Sequence, residues 1–472
     1  MSPAAFLTSS RLRLYPVAVL IGATIGWTFF IASSTGLRAV HGGRVGGDLP
    51  AFYGAARILG TRTPMALYDP AVQRDAQSDL LPDNTGGWIH FAYPPYVAVA
   101  YVPFTWLDFK TAYVVHTLLM VTCVLLALAL LRPLLLSLQV EFAACAAAAL
   151  TFYPLFRSIA GGQNTALSLL CAAGAAAMLS RNRDVAAGLW IGLWMFKPQY
   201  AIPVGALIAV CGRPRIVVGA GIVSAAWFLV GASVAGWTWP VWWWQTGVLP
   251  FATLDALVDR ANGVSFPQVA AAAGVPLLGW LGVAATSVFA IVTAWRSRRE
   301  PLVTVAIGAA VCVLTAPHAL YYDAGLAVLA FAVAADAAGR RALPVLIASW
   351  CVAALQPFRF FPIPADMLVL AVSILLLSRT SLQVFENTAQ RDEKHLSEAG
   401  DQRRNFTLVH RSGDCDGVGD EQPDRRRRQH DADDGNQGEQ ADTDALKAHG
   451  TSKAALGSST CSMTTSTGRL FV

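Results

Sequence analysis

Apolar runs of about 17–25 residues, the length a helix needs to cross a bilayer, recur along the first 380 positions of the chain. They fall at roughly 14–35, 110–131, 140–156, 163–180, 216–236, 276–295, 301–316, 319–336, 342–357 and 363–379. Two shorter apolar stretches occupy 184–212, split by Lys197-Pro198. The runs are continuous rather than alternating, so helices are predicted and membrane-spanning strands are not. From about 380 onward the pattern stops. The expected organisation is a membrane domain over 1–380 and a polar, disordered tail over 381–472 with Arg425-Arg426-Arg427-Arg428 and acidic clusters.

Charge sets the orientation. The basic clusters Arg11/Arg13, Arg181/Arg183, Arg213/Arg215, Arg296/Arg298/Arg299, Arg340/Arg341 and Arg379 all fall on the cytoplasmic side under the positive-inside rule. Lys197 then turns near the outer face. The loops 37–109, 157–163 and 237–275, the Pro317-His318 turn and Phe358-Arg359-Phe360 lie outside. The apolar stretch Tyr93–Leu107 is short and interrupted by Pro94, Pro95 and Pro103. It reads as an interfacial or re-entrant helix, because a crossing there would invert the parity of everything downstream. The resulting fold class is all-α: a polytopic transmembrane bundle of about 12 helices with a long first extracytoplasmic loop.

Composition narrows the class further. The chain of 472 residues is 55% hydrophobic and 14% charged, against about 25% charged for a soluble domain. The net charge of +5 comes mostly from loop ends, and no basic stripe with interleaved aromatics points to nucleic acid. The 8 cysteines form no CxxC pair, and small apolar packing is the reading that fits them. Arg11, Arg13 and the apolar run after them read as a retained anchor rather than a cleaved signal. No Walker loop, GxGxxG, HExxH or GxSxG stands in a suitable setting, so nucleotide chemistry has no support. Trp237, Trp239, Trp242, Trp243 and Trp244 read either as an aromatic belt at the headgroups or as a platform for a sugar or lipid.

Several polar residues stand out against this background. Asp48 follows Gly46-Gly47 and precedes a short amphipathic helix (Ala51 to Leu59) expected to lie on the membrane. It is either the N-cap of that helix or a general base near an acceptor hydroxyl. Lys197 at its turn either snorkels to the interface or neutralises a phosphate. Arg157 and Gly161-Gly162-Gln163-Asn164 form another outer turn, where the two amides suit sugar hydroxyls or Asn164 caps a helix. His318 either bonds a neighbouring carbonyl or binds phosphate or relays a proton. Asp323, in Tyr321-Tyr322-Asp323, lies just inside an apolar run, where a charge requires a partner or a cavity.

These segments together resemble glycosyltransferase family 87. They are Gly47-Asp48, Phe52-Tyr53-Gly54-Ala55-Ala56-Arg57, Leu67-Tyr68-Asp69, Phe91-Ala92-Tyr93-Pro94-Pro95, Gly162-Gln163-Asn164, Phe196-Lys197-Pro198 and Pro317-His318 with Tyr321-Tyr322-Asp323. The resemblance covers about residues 14–380 and excludes the tail. It implies a GT-C fold in a bacterial cytoplasmic (inner) membrane, with the active site on the extracytoplasmic side. The implied reaction moves a hexose, typically mannose, from a polyprenyl-phosphate sugar donor to a glycolipid or glycan acceptor. By resemblance Asp48 is the general base and His318 a donor-site residue. Lys197, Arg157, Gln163, Asn164 and Tyr322 complete the candidate substrate-binding set. A single acid stands at 48, with Leu49 beside it, where GT-C enzymes often pair two acids. A metal-free mechanism is therefore the simpler expectation, and no cofactor is assigned.

Two rivals remain: a transporter or flippase of lipid-linked sugars, which predicts internal repeats and midplane charges, and a non-catalytic scaffold in which Asp48 only caps a helix. The orientation itself is testable. In a cysteine-free background, Arg213→Cys and Arg298→Cys are expected to resist an impermeant maleimide added from outside and to react after lysis. Labelling of intact cells would invert the predicted topology.

Overall fold

The computed structural model describes residues 9–38, 44–80, 88–252, 262–358 and 363–379. The tail from 381 and the Arg359–Phe360 part of the expected outer turn lie outside the described residues. The protein is all-helical, and no strand occurs among the described residues. Among the described residues, five helices are long and apolar enough to cross a membrane: Ser10–Ala32, Phe109–Leu134, Ile216–Ala235, Pro276–Arg296 and Tyr321–Ala338. Shorter apolar helices follow the other predicted runs: Thr165–Leu179, Asp184–Phe196, Pro198–Val210, Pro301–Thr315 and Leu343–Ala353. A last helix covers 365–379.

One predicted span is broken. The run at 140–156 becomes Phe142–Thr151 and Tyr153–Ala160, bent by 70°. Phe152 is extended at φ −60, ψ 117. Pro154 has no N–H to continue the ladder and starts the second helix. The bend turns Tyr153–Ala160 so that Arg157 and the glycine turn after it face the long first loop.

The centre is built from small side chains. Thr165–Leu179 is buried nearly throughout, with Ala166, Ala172, Ala173, Ala175, Ala176 and Ala177 at or near zero exposure. Pro301–Thr315 is buried on all faces as well. Close packing of small residues replaces the hydrophobic drive that helices lack inside a bilayer. The long Ser9–Ala32, Ile216–Ala235 and Pro276–Arg296 helices expose Leu14, Ile25, Phe29, Val217, Ile222, Leu229, Leu277 and Val288, as lipid-facing helices do.

Polar contacts link some of the basic clusters. Arg13 pairs with Glu141, and the Ser137 amide donates to Asp336 at 2.9 Å. Arg213 binds Asp184 at 3.1 Å and Asn182 at 3.0 Å. The Arg213 contacts hold the 181–184 and 213–215 turns together.

The described residues of the first loop pack into a subdomain. Tyr93–Leu107 forms a seven-residue helix, Pro95–Tyr101, and a 3-10 turn, Val102–Trp106, too short together to span about 30 Å of hydrocarbon. The helix expected on the membrane surface runs from Leu49 to Thr61 and is not surface-bound. Leu49 through Ala56 and Ile58 are buried inside the protein. Its small residues let it wedge between Pro70–Gln77 and Pro95–Tyr101, so both of its faces find protein. Two glutamines one turn apart close this subdomain. Gln73 donates to the Leu67 and Phe91 carbonyls and accepts from the Phe91 amide. Gln77 does the same for Ile89, at 2.8 and 3.0 Å. The two side chains stand in for a neighbouring strand and carry residues 89–91 toward Tyr93.

Replacing Gln73 or Gln77 by Leu leaves buried backbone groups without partners, at about 1–3 kcal/mol each. A lowered melting temperature and faster proteolysis within 60–95 are expected for each variant in detergent. A double variant as stable as the natural chain would remove this role.

Candidate functional site

Two glycine turns interlock to make the site. Gly46 and Gly47 adopt φ +95 and +53, and Gly162 adopts φ +68, values at which L side chains are strained. A Cβ on Gly47 would meet the Gly161 carbonyl oxygen at 2.4 Å, and one on Gly162 would meet the Gly46 oxygen at 2.5 Å. With no side chains in the way, the Asp48 amide donates to the Gly161 carbonyl at 2.8 Å. Tyr113 fixes the second turn by donating to the Ala160 carbonyl at 2.6 Å.

The consequence is a side-chain contact across 115 residues: Gln163 Nε2 donates to Asp48 Oδ2 at 2.7 Å. Asp48 stands at the N-cap position of Leu49–Thr61, yet its side chain makes no capping hydrogen bond. The capping explanation therefore fails, and the carboxylate is directed elsewhere. Gln163 Oε1 and Asn164 Oδ1 are buried and have no hydrogen-bond partner among the described residues. The two residues are 6% and 2% exposed.

Arg157 and Tyr322 lie within electrostatic range of Asp48. Arg157 is exposed and hydrogen-bonds Tyr321. The Asn164 side chain hydrogen-bonds the Tyr93 oxygen through its N–H, its Oδ1 having no partner, and Asp323 and Asp48 lie near the ring. Burial, with those two carboxylates adding to it, pushes the Tyr93 hydroxyl well above the usual phenol range. Tyr93 therefore stays a proton-bearing donor at neutral pH.

Behind this layer is a buried ion pair. Lys197 Nζ meets Asp323 Oδ1 at 2.7 Å, with the side chains 3% and 4% exposed. Thr165 Oγ1 donates to the same oxygen at 3.1 Å, and the Leu320 amide donates to Oδ2 at 3.3 Å. The expected partner of Asp323 is thus Lys197. The ammonium also lies over the rings of Tyr200 and Tyr322. Lys197 sits at the break between the Trp194–Phe196 turn and Pro198–Val210, where Tyr96 donates to the Met195 carbonyl at 2.6 Å. Direct contact between Lys197 and a ligand phosphate would require this pair to open.

His318 belongs to a second, aromatic grouping. Gln268 Nε2 faces His318 Nδ1 at 3.2 Å, while Gln268 Oε1 accepts from the Ala319 amide at 2.9 Å. The Gln268 oxygen is thereby engaged and its N–H turned to Nδ1, which places the neutral ring's proton on Nε2. Phe251 lies edge-on to His318 at 4.9 Å and stacked on His90 at 5.4 Å, and Trp88 follows at 5.0 Å. Burial lowers the His90 pKa, opposed by the Gly247 carbonyl. The Asn262–Ser265 segment ties this grouping to the turn that holds Asp323, through Val264 N to Ala319 O and Tyr321 N to Asn262 O, each at 3.0 Å. In the tryptophan segment, Trp239 is buried and donates to Phe228, Trp243 donates to Ala92, and Trp237 and Trp244 are exposed.

The structure thus gathers Asp48, Arg157, Gln163, Asn164, Lys197 and Tyr322 around one point, with His318 five residues from Asp323 on the adjoining turn. Sequence reasoning did not single out Tyr93, Thr165 or Tyr200 as site residues. Tyr93 was visible within Phe91-Ala92-Tyr93-Pro94-Pro95, but Thr165 and Tyr200 carry no sequence signal apart from their neighbours.

Residues 91–317 match the family described as glycosyltransferase family 87. No curated protein and no solved structure matches the chain significantly. Arg157, Gln163, Asn164 and Lys197 fall inside the matched stretch. Asp48, His318, Tyr322 and Asp323 fall outside it.

Removing one partner of the buried pair strands a charge, which costs about 3–5 kcal/mol. Lys197→Met is expected to unfold at markedly lower temperature, and Lys197→Met with Asp323→Leu to regain most of the loss. Equal melting temperatures for single and double variants would show that the pair is not coupled.

Proposed function

We propose, from the glycosyltransferase family 87 domain at residues 91–317, that Asp48 is the general base of a membrane glycosyltransferase. The finer reading is a GT-C enzyme of about twelve crossings whose chemistry resides in residues 1–380, outside the 381–472 tail. It takes a hexose, with mannose first, from a polyprenyl-phosphate donor on the extracytoplasmic side of a bacterial inner membrane. The acceptor is a glycolipid or glycan.

The observation that carries this is the Asp48–Gln163 contact beside an exposed Arg157. A carboxylate kept from its cap and held next to a guanidinium suits an inverting displacement. Asp48 takes the proton of the acceptor hydroxyl as that oxygen forms its bond to C1 of the sugar. The C1–oxygen bond to the donor phosphate breaks, and polyprenyl phosphate leaves with the electron pair. The negative charge that grows on the phosphate needs fixed positive charge or donors. Arg157 supplies this from an accessible position, and the Nε2–H of His318 suits the same task from the adjoining turn. Lys197 serves by neutralising Asp323, which keeps a second carboxylate from repelling the phosphate, and Tyr322 offers a hydroxyl between the two acids. The apolar helices hold the prenyl chain.

A transporter of lipid-linked sugars is the second reading, favoured by the charged pair Lys197–Asp323 buried among apolar helices. The deciding experiment supplies purified protein with polyprenyl-phosphate mannose and a membrane glycolipid extract. Asp48→Asn is expected to lower transfer by about 10²–10⁴-fold, the range general-base catalysis spans, with the protein still folded. Transfer at the unsubstituted rate would exclude Asp48 as base. Vectorial movement of donor without transfer would favour the transporter.

A further inference from the structure

We infer that Gln163 is a positioning residue for Asp48 and that Gln163 and Asn164 together form a hydroxyl-recognising subsite, which takes the uncharged acceptor while the phosphate lies on the Arg157 side. The inference rests on the proposed transferase reading and assigns the halves of its site.

An ionised carboxylate only accepts hydrogen bonds, so the group that Gln163 turns to Asp48 has to be its N–H. The contact at 2.7 Å therefore fixes the orientation of the whole amide. Gln163 Oε1 must point away from Asp48, and there it finds no partner among the described residues. Asn164 Oδ1, next in sequence, is in the same condition. Both residues are more than nine-tenths buried. Buried polar oxygens are nearly always satisfied, and two adjacent exceptions beside a carboxylate are a place for donors to arrive.

The donors that fit are hydroxyls. Two amide oxygens and a carboxylate would repel a phosphate, which brings more acceptors. A sugar or polyol face brings several O–H groups at once: one for Asp48 and its neighbours for Gln163 and Asn164. Arg157, on the helix before the glycine turn, is a cation within electrostatic range of Asp48. Phosphate is drawn to that side, and the reacting carbon lies between the two halves. Gln163 also has an effect that does not depend on any ligand. Donation to Oδ2 favours the ionised form of Asp48 and sets the plane of its carboxylate. Arg157 acts in the same sense, and the Tyr93 and Tyr322 hydroxyls border the same space.

The test separates these roles. In an infrared pH titration of the purified protein, the Asp48 carboxyl is the signal that disappears in Asp48→Asn. Gln163→Leu is expected to raise its midpoint by about one pH unit, because a donor to the charged form is lost. Gln163→Met, unbranched and of similar length, should do the same and guards against misfolding of the leucine variant. Asn164→Leu should leave the midpoint in place. Binding is then read by saturation-transfer NMR with methyl α-mannoside and, separately, with inorganic phosphate as competitor of a phosphate-bearing probe. Mannoside binding should weaken about tenfold in Gln163→Leu and in Asn164→Leu, the loss expected for one hydrogen bond. Phosphate binding should survive both and fall in Arg157→Gln.

An unmoved midpoint in both Gln163 variants would overturn the positioning role. Phosphate binding lost with Asn164, or Mn²⁺ bound in the natural protein and released by Asn164→Leu, would overturn the hydroxyl subsite. Failure of the transferase reading is registered elsewhere, by the transfer assay on Asp48→Asn, so the two failures are distinguishable.

Discussion

A lysine and an aspartate 126 residues apart meet at 2.7 Å inside an apolar bundle, and the architecture of the candidate site depends on that meeting. Neither charge is tolerable there alone. A buried ion is stable only when its partner and further hydrogen bonds offset its desolvation. Asp323 has Thr165 and the Leu320 amide in addition to Lys197. The pair thereby locks three segments into one register: the break after Trp194–Phe196, the start of Thr165–Leu179 and the turn at Tyr321–Leu326. Gln163 and Asn164 immediately precede Thr165, and Arg157 is one helical stretch earlier. The residues around Asp48 are therefore positioned by a contact in which Asp48 takes no part.

The helical architecture was legible because a bilayer demands it. Every backbone group must be paired within the segment, so long apolar runs allow few alternatives, and the helices fall close to the predicted spans. The departures have local causes. The run at 140–156 continues in composition through Phe152, but Pro154 ends its hydrogen-bond ladder and a 70° bend follows. The Leu49–Thr61 helix carries few polar residues, and its pattern cannot distinguish a lipid-facing surface from a protein-facing one. Only its packing against Pro70–Gln77 and Pro95–Tyr101 shows that both faces are covered.

The site was legible in a different way. Asp48, Lys197 and Asp323 stood out because charge is scarce in such a chain, and scarcity needs no three-dimensional information. What joins them did not stand out. Glycine pairs are common in membrane proteins, and nothing in Gly46-Gly47 or Gly161-Gly162 states that one turn packs against the other. Nor does the sequence around Lys197 and Asp323 say that they neutralise each other. A cation near an outer face reads as a phosphate ligand until its counter-ion is located. The locating contacts span more than a hundred residues, the range over which local pattern carries no information.

The glutamines of this protein supply a comparison that composition alone cannot. Gln73 and Gln77 use both ends of their amides on backbone groups. Gln268 also uses both ends, accepting from the Ser265 hydroxyl and the Ala319 amide and facing the His318 ring with its N–H. Each is part of the scaffold, and each is fully used. Gln163 is as deeply buried, yet only its nitrogen is engaged, and that on Asp48. An unsatisfied buried acceptor costs about 1–3 kcal/mol, and Asn164 adds another beside it. Other buried polar atoms, among them Ser168 Oγ, Tyr200 Oη and both Asp366 oxygens, are also without partners among the described residues; what sets the Gln163 and Asn164 oxygens apart is that they stand side by side next to Asp48. Two open acceptors side by side, next to a carboxylate that makes no capping bond, form a place where arriving hydroxyl donors gain partners at once.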